Sequence, residues 1–502
     1  MTCPVYHNLI GGQWRPALSG KTILNLNPAD QSDEVGAFPS SNAEDVALAV
    51  EAAKNAFVEW RLVPAPKRAE ILYRTGYLLS VRKEEYAREM TREMGKVLAE
   101  TRGDVQEAID EAFYVAGEGR RLFGQTTPSE LRNKFAMSVR VPVGVVGLIT
   151  PWNFPMAIPS WKLFPALVSG NTCVIKPATD TPLSTYNLVQ TLIDAGLPPG
   201  VVNIVGGTGS TVGMALVEHP DVRAISFTGS SSVGSLVGQR AAAGFKPVSL
   251  EMGGKNAQIV MNDANLELAL DGAIWGAFGT TGQRCTATSR ILLQKGIAAE
   301  FTARFVGRTK KLKVGNGLDE SVEVGPQVNP NQIETSARYV LIALDEGADL
   351  LTGGRALTGG DYAHGTYFEP TVLGKVTPGM RIAREEVFGP VVSLIEFETF
   401  SEAIDIANSI EYGLSVSLYT KDVNRAFTAI RDLEAGIAYI NAPTIGAEVH
   451  LPFGGVKQTG NGHREGNGAI DFFTTWKAVY IDYSDKLQRA QIDNVGLLED
   501  QK

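Results

Sequence analysis

Apolar residues recur at three- and four-residue spacing, with charges between them, from residue 43 to about residue 118, and that period predicts helices over 43–60, 66–82 and 84–118. From Val139 the texture changes. Short Val- and Ile-rich runs, VPVGVVGLIT, NTCVIKPA, VVNIVGG and VRAISFTGS, each precede a segment of helical pattern, at a spacing of about 25 residues that suits repeated strand-helix-strand units. The alternation predicts a doubly wound parallel sheet over about 142–253, with nucleotide binding expected at the carboxyl ends of its strands. A second α/β region follows from Gly254 to about Gly455, with RILLQ at Arg290, VVSLIEF at Val391 and GIAYIN at Gly436. Two strand-like runs stand apart from both regions, SVRVPVGV near Ser138 and WKAVYIDYS at 476–484. Orphan strands of this kind pair with each other or with another subunit.

Composition narrows the function classes. A chain of 502 residues, 44% hydrophobic and 20% charged, can bury more than one core and carries no disorder signature. Its 46 basic and 55 acidic residues leave a net charge of −9 with no basic run, which argues against nucleic acid or an anionic membrane as the main partner. The three cysteines, Cys3, Cys173 and Cys285, are too few for a disulfide framework and suit a reducing compartment. The first fifteen residues have no basic-then-apolar leader pattern, and no window approaches a membrane span, so a cytoplasmic protein is expected. The histidines at 7, 219, 364, 450 and 463 lack metal-ligand spacing and no CxxC occurs, so no protein-bound metal is expected.

Two places carry candidate chemistry. In FTGSSSVG, Gly229 and Gly234 bracket a turn between a strand and a helical stretch from about Val233, where N–H groups at a helix start would face a pyrophosphate. Neither this run nor the glycines at 206, 207, 209 and 213 has GxGxxG spacing, and read alone each is an ordinary strand-to-helix turn. Cys285, in FGTTGQRCTATSR, has Arg284 beside it, a cation that helps lower a thiol toward the thiolate a nucleophile needs. Read alone, a single cysteine is more often a small buried hydrophobe, a description that suits Cys173 within NTCVIK.

Five runs in register change this reading: PWNFP at 151–155, LEMGGK at 250–255, GQRC at 282–285, EEVFGP at 385–390 and PFGGVK at 452–457. Together they resemble the aldehyde dehydrogenase superfamily, in the family's order across nearly the whole chain. The resemblance implies an α/β fold with a Rossmann-type cofactor domain over 1–123 and 143–253, a catalytic α/β domain over 254–455, and a small β oligomerisation element over 124–142 and 470–490. It implies Cys285 as the nucleophile that forms a thiohemiacetal and then a thioester. Asn153 would stabilise the oxyanion, and Glu251 would activate the hydrolytic water. It places the cofactor on Thr150, Pro151, Trp152, Lys176, Thr179, Gly229, Ser230, Gly234, Glu386 and Phe388. A homodimer or homotetramer acting on a small-molecule aldehyde is the expected assembly.

Two departures from the family pattern matter. NAD-preferring members commonly carry a glutamate three residues after the lysine, where this chain has Thr179; without that charge a 2′-phosphate is not repelled, so NADP is expected to be accepted at least as well as NAD. His463, in TGNGHREGNG, is an extra residue in the family's SGxGRE loop, and no contact is carried over there. For the substrate, Arg284 and the run APTIGAEVH, with Gly446 and Ala447, are similar to antiquitin-like aminoadipate semialdehyde dehydrogenases. The surroundings of Cys285 are also similar to 2-oxoglutarate semialdehyde dehydrogenases. A guanidinium pairing with a terminal carboxylate favours semialdehyde acids. The alternatives are a structural role for Arg284 in a broad-specificity aldehyde dehydrogenase, a glutamate semialdehyde (pyrroline-5-carboxylate) dehydrogenase, an acylating enzyme passing its thioester to coenzyme A, and a catalytically silent protein on the same fold.

Overall fold

A computed structural model describes residues 3–462 and 465–493. Its first seven-stranded sheet has the order Val248–Glu251, Val222–Thr228, Val145–Ile149, Thr172–Lys176, Val202–Ile204, Asn8–Ile10, Gln13–Arg15. The first five strands are parallel. Val145–Ile149 and Thr172–Lys176 are buried on both faces, which is why they read as unbroken apolar runs rather than alternating ones. From Val145–Ile149 the chain builds outward through Thr172–Lys176, then returns to the other side through Val222–Thr228. The switch point therefore opens between the loops after Ile149 and after Thr228, where a doubly wound sheet binds its ligand.

The second sheet has the order Asp349–Thr352, Thr371–Gly374, Val391–Phe397, Thr288–Gln294, Asn256–Val260, Ser415–Tyr419, Ile437–Ile440, parallel except for Asp349–Thr352. Only residues 252–255 separate the last strand of the first sheet from the opening strand of the second, so Met252-Gly253-Gly254-Lys255 is the hinge between the two sheets. Each sheet has its own apolar clusters, Val146, Leu148, Phe164 and Ile175 in one and Ile259, Leu292, Ile395 and Leu418 in the other. Full burial of such a side chain contributes roughly 1.5–3 kcal/mol.

The two orphan strands pair with each other. Thr474–Asp482 runs antiparallel along the whole of Lys134–Pro142, whose other edge takes Gln125–Pro128; Phe135, Trp476, Tyr480 and Ile481 remain exposed on this sheet.

The helix Ala43–Trp60 starts on a capping box between Asn42 and Asp45. The next two helices differ from the sequence expectation of a break at residue 83. They are Ala65–Met94 and Leu98–Glu118, because Arg82, Lys83 and Glu84 are good helix formers and the first true stop is Gly95. Its φ of 91° and the Pro326 and Pro28 atoms 2.7 and 2.9 Å from where a Cβ would sit admit only glycine. Among the described residues no helix is long and apolar enough to cross a membrane.

Candidate active site

The helix Leu266–Phe278 ends in the turn Gly279–Gly282, in which Thr280 and Thr281 have φ of 52° and 58°. A β-branched residue seldom takes this left-handed conformation, so the surroundings must hold it. The Glu100 carboxylate accepts the Thr280 N–H at 2.8 Å, the Thr281 hydroxyl donates to the Gly325 carbonyl at 2.9 Å, and the Gln283 side chain accepts the Val328 N–H at 2.9 Å. At Gly282 a Cβ would lie 2.2 Å from the Gly389 carbonyl. Cys285 follows, its own carbonyl accepting from Asn256 Nδ2 at 2.7 Å.

Cys285 stands where two cavities meet. One, of about 420 Å³, is lined by Glu107, Phe154, Trp161, Arg284 and Phe453 among others. The other, of about 180 Å³, is lined by Trp152, Asn153, Ser230, Glu386 and Phe388 among others. Ile158, Thr228, Met252 and Cys285 belong to both walls. Burial and the Glu386 and Glu251 carboxylates push the Cys285 thiol up to about 12, and the Thr286 N–H and Arg284 only partly oppose them. Arg284 thus lowers the thiol as its charge leads one to expect, but burial and the two carboxylates outweigh it. Glu251 ends the strand Val248–Glu251, is buried, and lines the larger cavity, so the alternative of a solvated loop charge does not describe it.

The smaller cavity sits at the switch point. Pro151, Trp152 and Asn153 follow one central strand, and Gly229 and Ser230 follow its neighbour. Trp152 and Phe388 meet edge to face with ring centroids 5.2 Å apart, and Phe388 is held at φ 57°. The Glu386 carboxylate accepts the Gly254 N–H at 3.0 Å. Burial pushes it up to about 7 against the pull of that N–H and of Lys255. Ser230 caps the helix Ser231–Ala242, leaving its first N–H groups beside the cavity. An edge-to-face aromatic pair, a half-buried carboxylate that can accept sugar hydroxyls and a helix N-terminus fit the nicotinamide end of a dinucleotide.

Thr150, Lys176, Thr179 and Gly234 are absent from the walls of both cavities. Gly234 is needed for packing instead, since a Cβ there would lie 2.2 Å from Met252 Sδ. Lys176 Nζ donates to the Pro177 carbonyl at 2.6 Å, and burial brings its ammonium down to about 8. The Thr179 hydroxyl donates to the Gly207 carbonyl at 3.3 Å, and the Thr150 N–H donates to the Lys176 carbonyl at 3.3 Å.

In the larger cavity, one face of Leu98–Glu118 presents Glu100, Gly103, Asp104 and Glu107. Phe154, Trp161, Trp275 and Phe453 supply apolar wall, and Gly446, at φ 116°, and Ala447 complete it. Most of the wall's acids are neutralised locally. Asp104 pairs with fully buried Lys96 at 2.6 Å, Glu465 pairs with Lys162, Glu100 pairs with Arg284 at 3.0 Å, and burial with the nearby Asp104 pushes Glu107 up to about 8. Arg284 also donates from Nε to the Thr280 hydroxyl at 2.8 Å and lies 5.1 Å from the Phe154 ring centre. The guanidinium fork has more donors than these two partners use.

Sequence reading missed Glu100, Glu107, Phe154, Trp161, Trp275, Phe453 and Glu465. The only signal available was the three- and four-residue spacing of Glu100, Asp104 and Glu107, which reads equally as a solvated helix face. His463 lies outside the described residues.

Residues 14–479 match the model of the aldehyde dehydrogenase family. The chain is 46% identical over 477 residues to an alpha-ketoglutaric semialdehyde dehydrogenase of Bacillus subtilis, covering 95% of this chain and 98% of that protein. It is 42% identical to an alpha-ketoglutarate semialdehyde dehydrogenase of Haloferax volcanii over 95% of this chain and 99% of that one. The crystal structure of betaine aldehyde dehydrogenase from Staphylococcus aureus in complex with NAD+ superposes with a TM-score of 0.94 at 34% identity, covering 96% of each chain.

Proposed function

The chain belongs to the aldehyde dehydrogenase family, oxidoreductases that act on aldehydes with NAD or NADP, and we propose that within it this enzyme oxidises a carboxylate-bearing semialdehyde of the 2-oxoglutarate semialdehyde type to the dicarboxylic acid. The observation that carries this reading is Arg284, whose guanidinium lines the larger cavity one residue from the nucleophile while the acids around it are paired or raised. A substrate carboxylate held there by a forked pair of hydrogen bonds would present its aldehyde toward Cys285. The relatives named for alpha-ketoglutarate semialdehyde point the same way, and Gly446 and Ala447 would pack along the substrate chain. Aminoadipate semialdehyde is the second candidate, since Arg284 would hold its carboxylate in the same way.

Chemically, the Cys285 sulfur attacks the aldehyde carbon as the thiol proton passes to solvent through the larger cavity. The Asn153 side-chain amide and the Cys285 N–H receive the developing oxyanion. A nicotinamide held in the smaller cavity would supply the hydride acceptor for that carbon. The acyl group then remains on Cys285 as a thioester, and Glu251 takes a proton from the water that hydrolyses it.

Pro151, Trp152, Gly229, Ser230, Glu386 and Phe388 would hold the nicotinamide half. Lys176, Thr150 and Thr179 would serve the adenosine half, with Gly234 packing its helix against Met252. Thr179 in place of an acidic residue supports NADP acceptance at least equal to NAD. We assign 1–123 and 143–253 to cofactor binding, 254–455 to catalysis, and 124–142 with 470–490 to contacts in a cytoplasmic homodimer or homotetramer. The exposed Phe135, Trp476 and Tyr480 support that last assignment.

The test is an initial-rate panel of 2-oxoglutarate, aminoadipate, glutamate and succinate semialdehydes and an uncharged aldehyde of matching length, each with NAD and NADP. The reading expects the highest kcat/KM on 2-oxoglutarate semialdehyde. Equal rates on the uncharged aldehyde would reduce the enzyme to a broad-specificity one, and a large preference for NAD would remove the cofactor assignment.

A further inference from the structure

We propose that Glu100 is a positioning residue that serves the nucleophile and the substrate-binding arginine at once. Both of its oxygens lie 2.8 Å from the Thr280 nitrogen, and the same carboxylate accepts from Arg284 Nη2 at 3.0 Å. It approaches closely enough that a Cβ on Gly279 would lie 3.0 Å from Glu100 Oε1. The backbone it grips is the left-handed pair Thr280 and Thr281, which no local preference of a β-branched residue sustains.

With the Thr280 N–H released, that pair relaxes toward ordinary backbone angles and Cys285, five residues on, leaves its place between the two cavities. Toward Arg284, Glu100 acts as a built-in competitor. Both side chains are nearly buried, 13% and 12% exposed, so their attraction is weakly screened, and a substrate carboxylate must share the guanidinium with it. Glu100 therefore sets the reactivity of Cys285 through Thr280 and the KM for an anionic aldehyde through Arg284. The Arg284 half rests on the semialdehyde-acid reading above; the Thr280 half does not.

The experiment compares wild type, Glu100→Ala and Glu100→Gln as intact enzymes on 2-oxoglutarate semialdehyde and on an uncharged aldehyde of matching length. It reads kcat, KM and the rate at which iodoacetamide alkylates Cys285, followed by mass spectrometry. Glu100→Ala should lower kcat by about tenfold or more on both aldehydes, the scale of loss expected from a displaced reacting group, and shift the alkylation rate. Glu100→Gln keeps an oxygen that accepts the Thr280 N–H but loses the charge. It should restore most of that kcat while lowering KM several-fold for the carboxylated aldehyde and not for the uncharged one.

A Glu100→Ala enzyme within about threefold of wild-type kcat on the uncharged aldehyde overturns the nucleophile half. A Glu100→Gln enzyme whose KM values move together overturns the arginine half. If Glu100→Ala does not fold, Glu100→Asp replaces it, since it keeps the charge but is one methylene too short to reach Thr280, and it must lower kcat on both aldehydes. Equal kcat/KM of wild type on the two aldehydes would sink the semialdehyde-acid reading alone, and kcat on the uncharged aldehyde would still decide whether Glu100 positions the nucleophile.

Discussion

The Glu386 carboxylate accepts the Gly254 N–H at 3.0 Å and lies over the neighbouring Gly253, where a Cβ would come within 2.1 Å of its Oε2. The hinge between the two sheets thus holds the carboxylate that faces the smaller cavity, and its two glycines leave that carboxylate room.

From this follows a pH dependence of cofactor binding. Burial raises the Glu386 carboxyl to about 7, so it is charged above that pH and gains a proton below it, losing acceptor capacity for sugar hydroxyls. Cofactor Kd should rise up to about tenfold as pH falls from about 8 to about 6, and Glu386→Gln should flatten that slope. Fluorescence titration of the reduced cofactor checks it; a wild-type Kd independent of pH in this range would remove Glu386 from the role.

The two steps assigned to Cys285 and Glu251 separate kinetically. Cys285→Ala should abolish turnover while cofactor binding stays measurable. Glu251→Gln should slow thioester hydrolysis by about 10²-fold or more, the scale of lost general-base catalysis, with a stoichiometric burst of reduced cofactor preserved in stopped flow. An unchanged steady-state rate in Glu251→Gln would contradict the assignment.

Much of the fold was legible because its central strands are buried on both faces. Val145–Ile149 and Thr172–Lys176 are apolar runs with helical segments behind them. Val248–Glu251 and Ser415–Tyr419 were not, because Ser249 in the one and Ser415 and Ser417 in the other take buried positions that break the pattern, and Asn256–Val260 opens on the buried Asn256 that holds the nucleophile carbonyl. The same limit hid the substrate wall. Glu100, Asp104 and Glu107 look like a solvated helix face until Thr280 and Arg284 are brought to Glu100 by a loop distant in sequence and Lys96, just ahead of the helix, folds back onto Asp104.

The Lys96 and Asp104 pair should matter for stability. Both side chains are fully buried at 2.6 Å, Lys96 Nζ sits 3.6 Å from the Phe154 ring centre, and Asp104 also accepts the Ala157 N–H at 2.7 Å. Asp104→Ala strands a buried ammonium and should destabilise the protein by about 3–5 kcal/mol. Urea unfolding of the variant beside wild type measures this, and a difference below about 1 kcal/mol would show that the site relaxes to admit water.

The proposed function turns on Arg284 selecting a carboxylate-bearing aldehyde for Cys285. The decisive quantity is the ratio of kcat/KM for 2-oxoglutarate semialdehyde over an uncharged aldehyde of equal length, in wild type and in Arg284→Ala. The wild-type ratio should be about tenfold to a hundredfold, the worth of charged hydrogen bonds to one carboxylate, falling to near unity in the variant through the carboxylated substrate alone. A ratio unchanged by the substitution would contradict this selection and leave Arg284 a structural residue of the nucleophile loop.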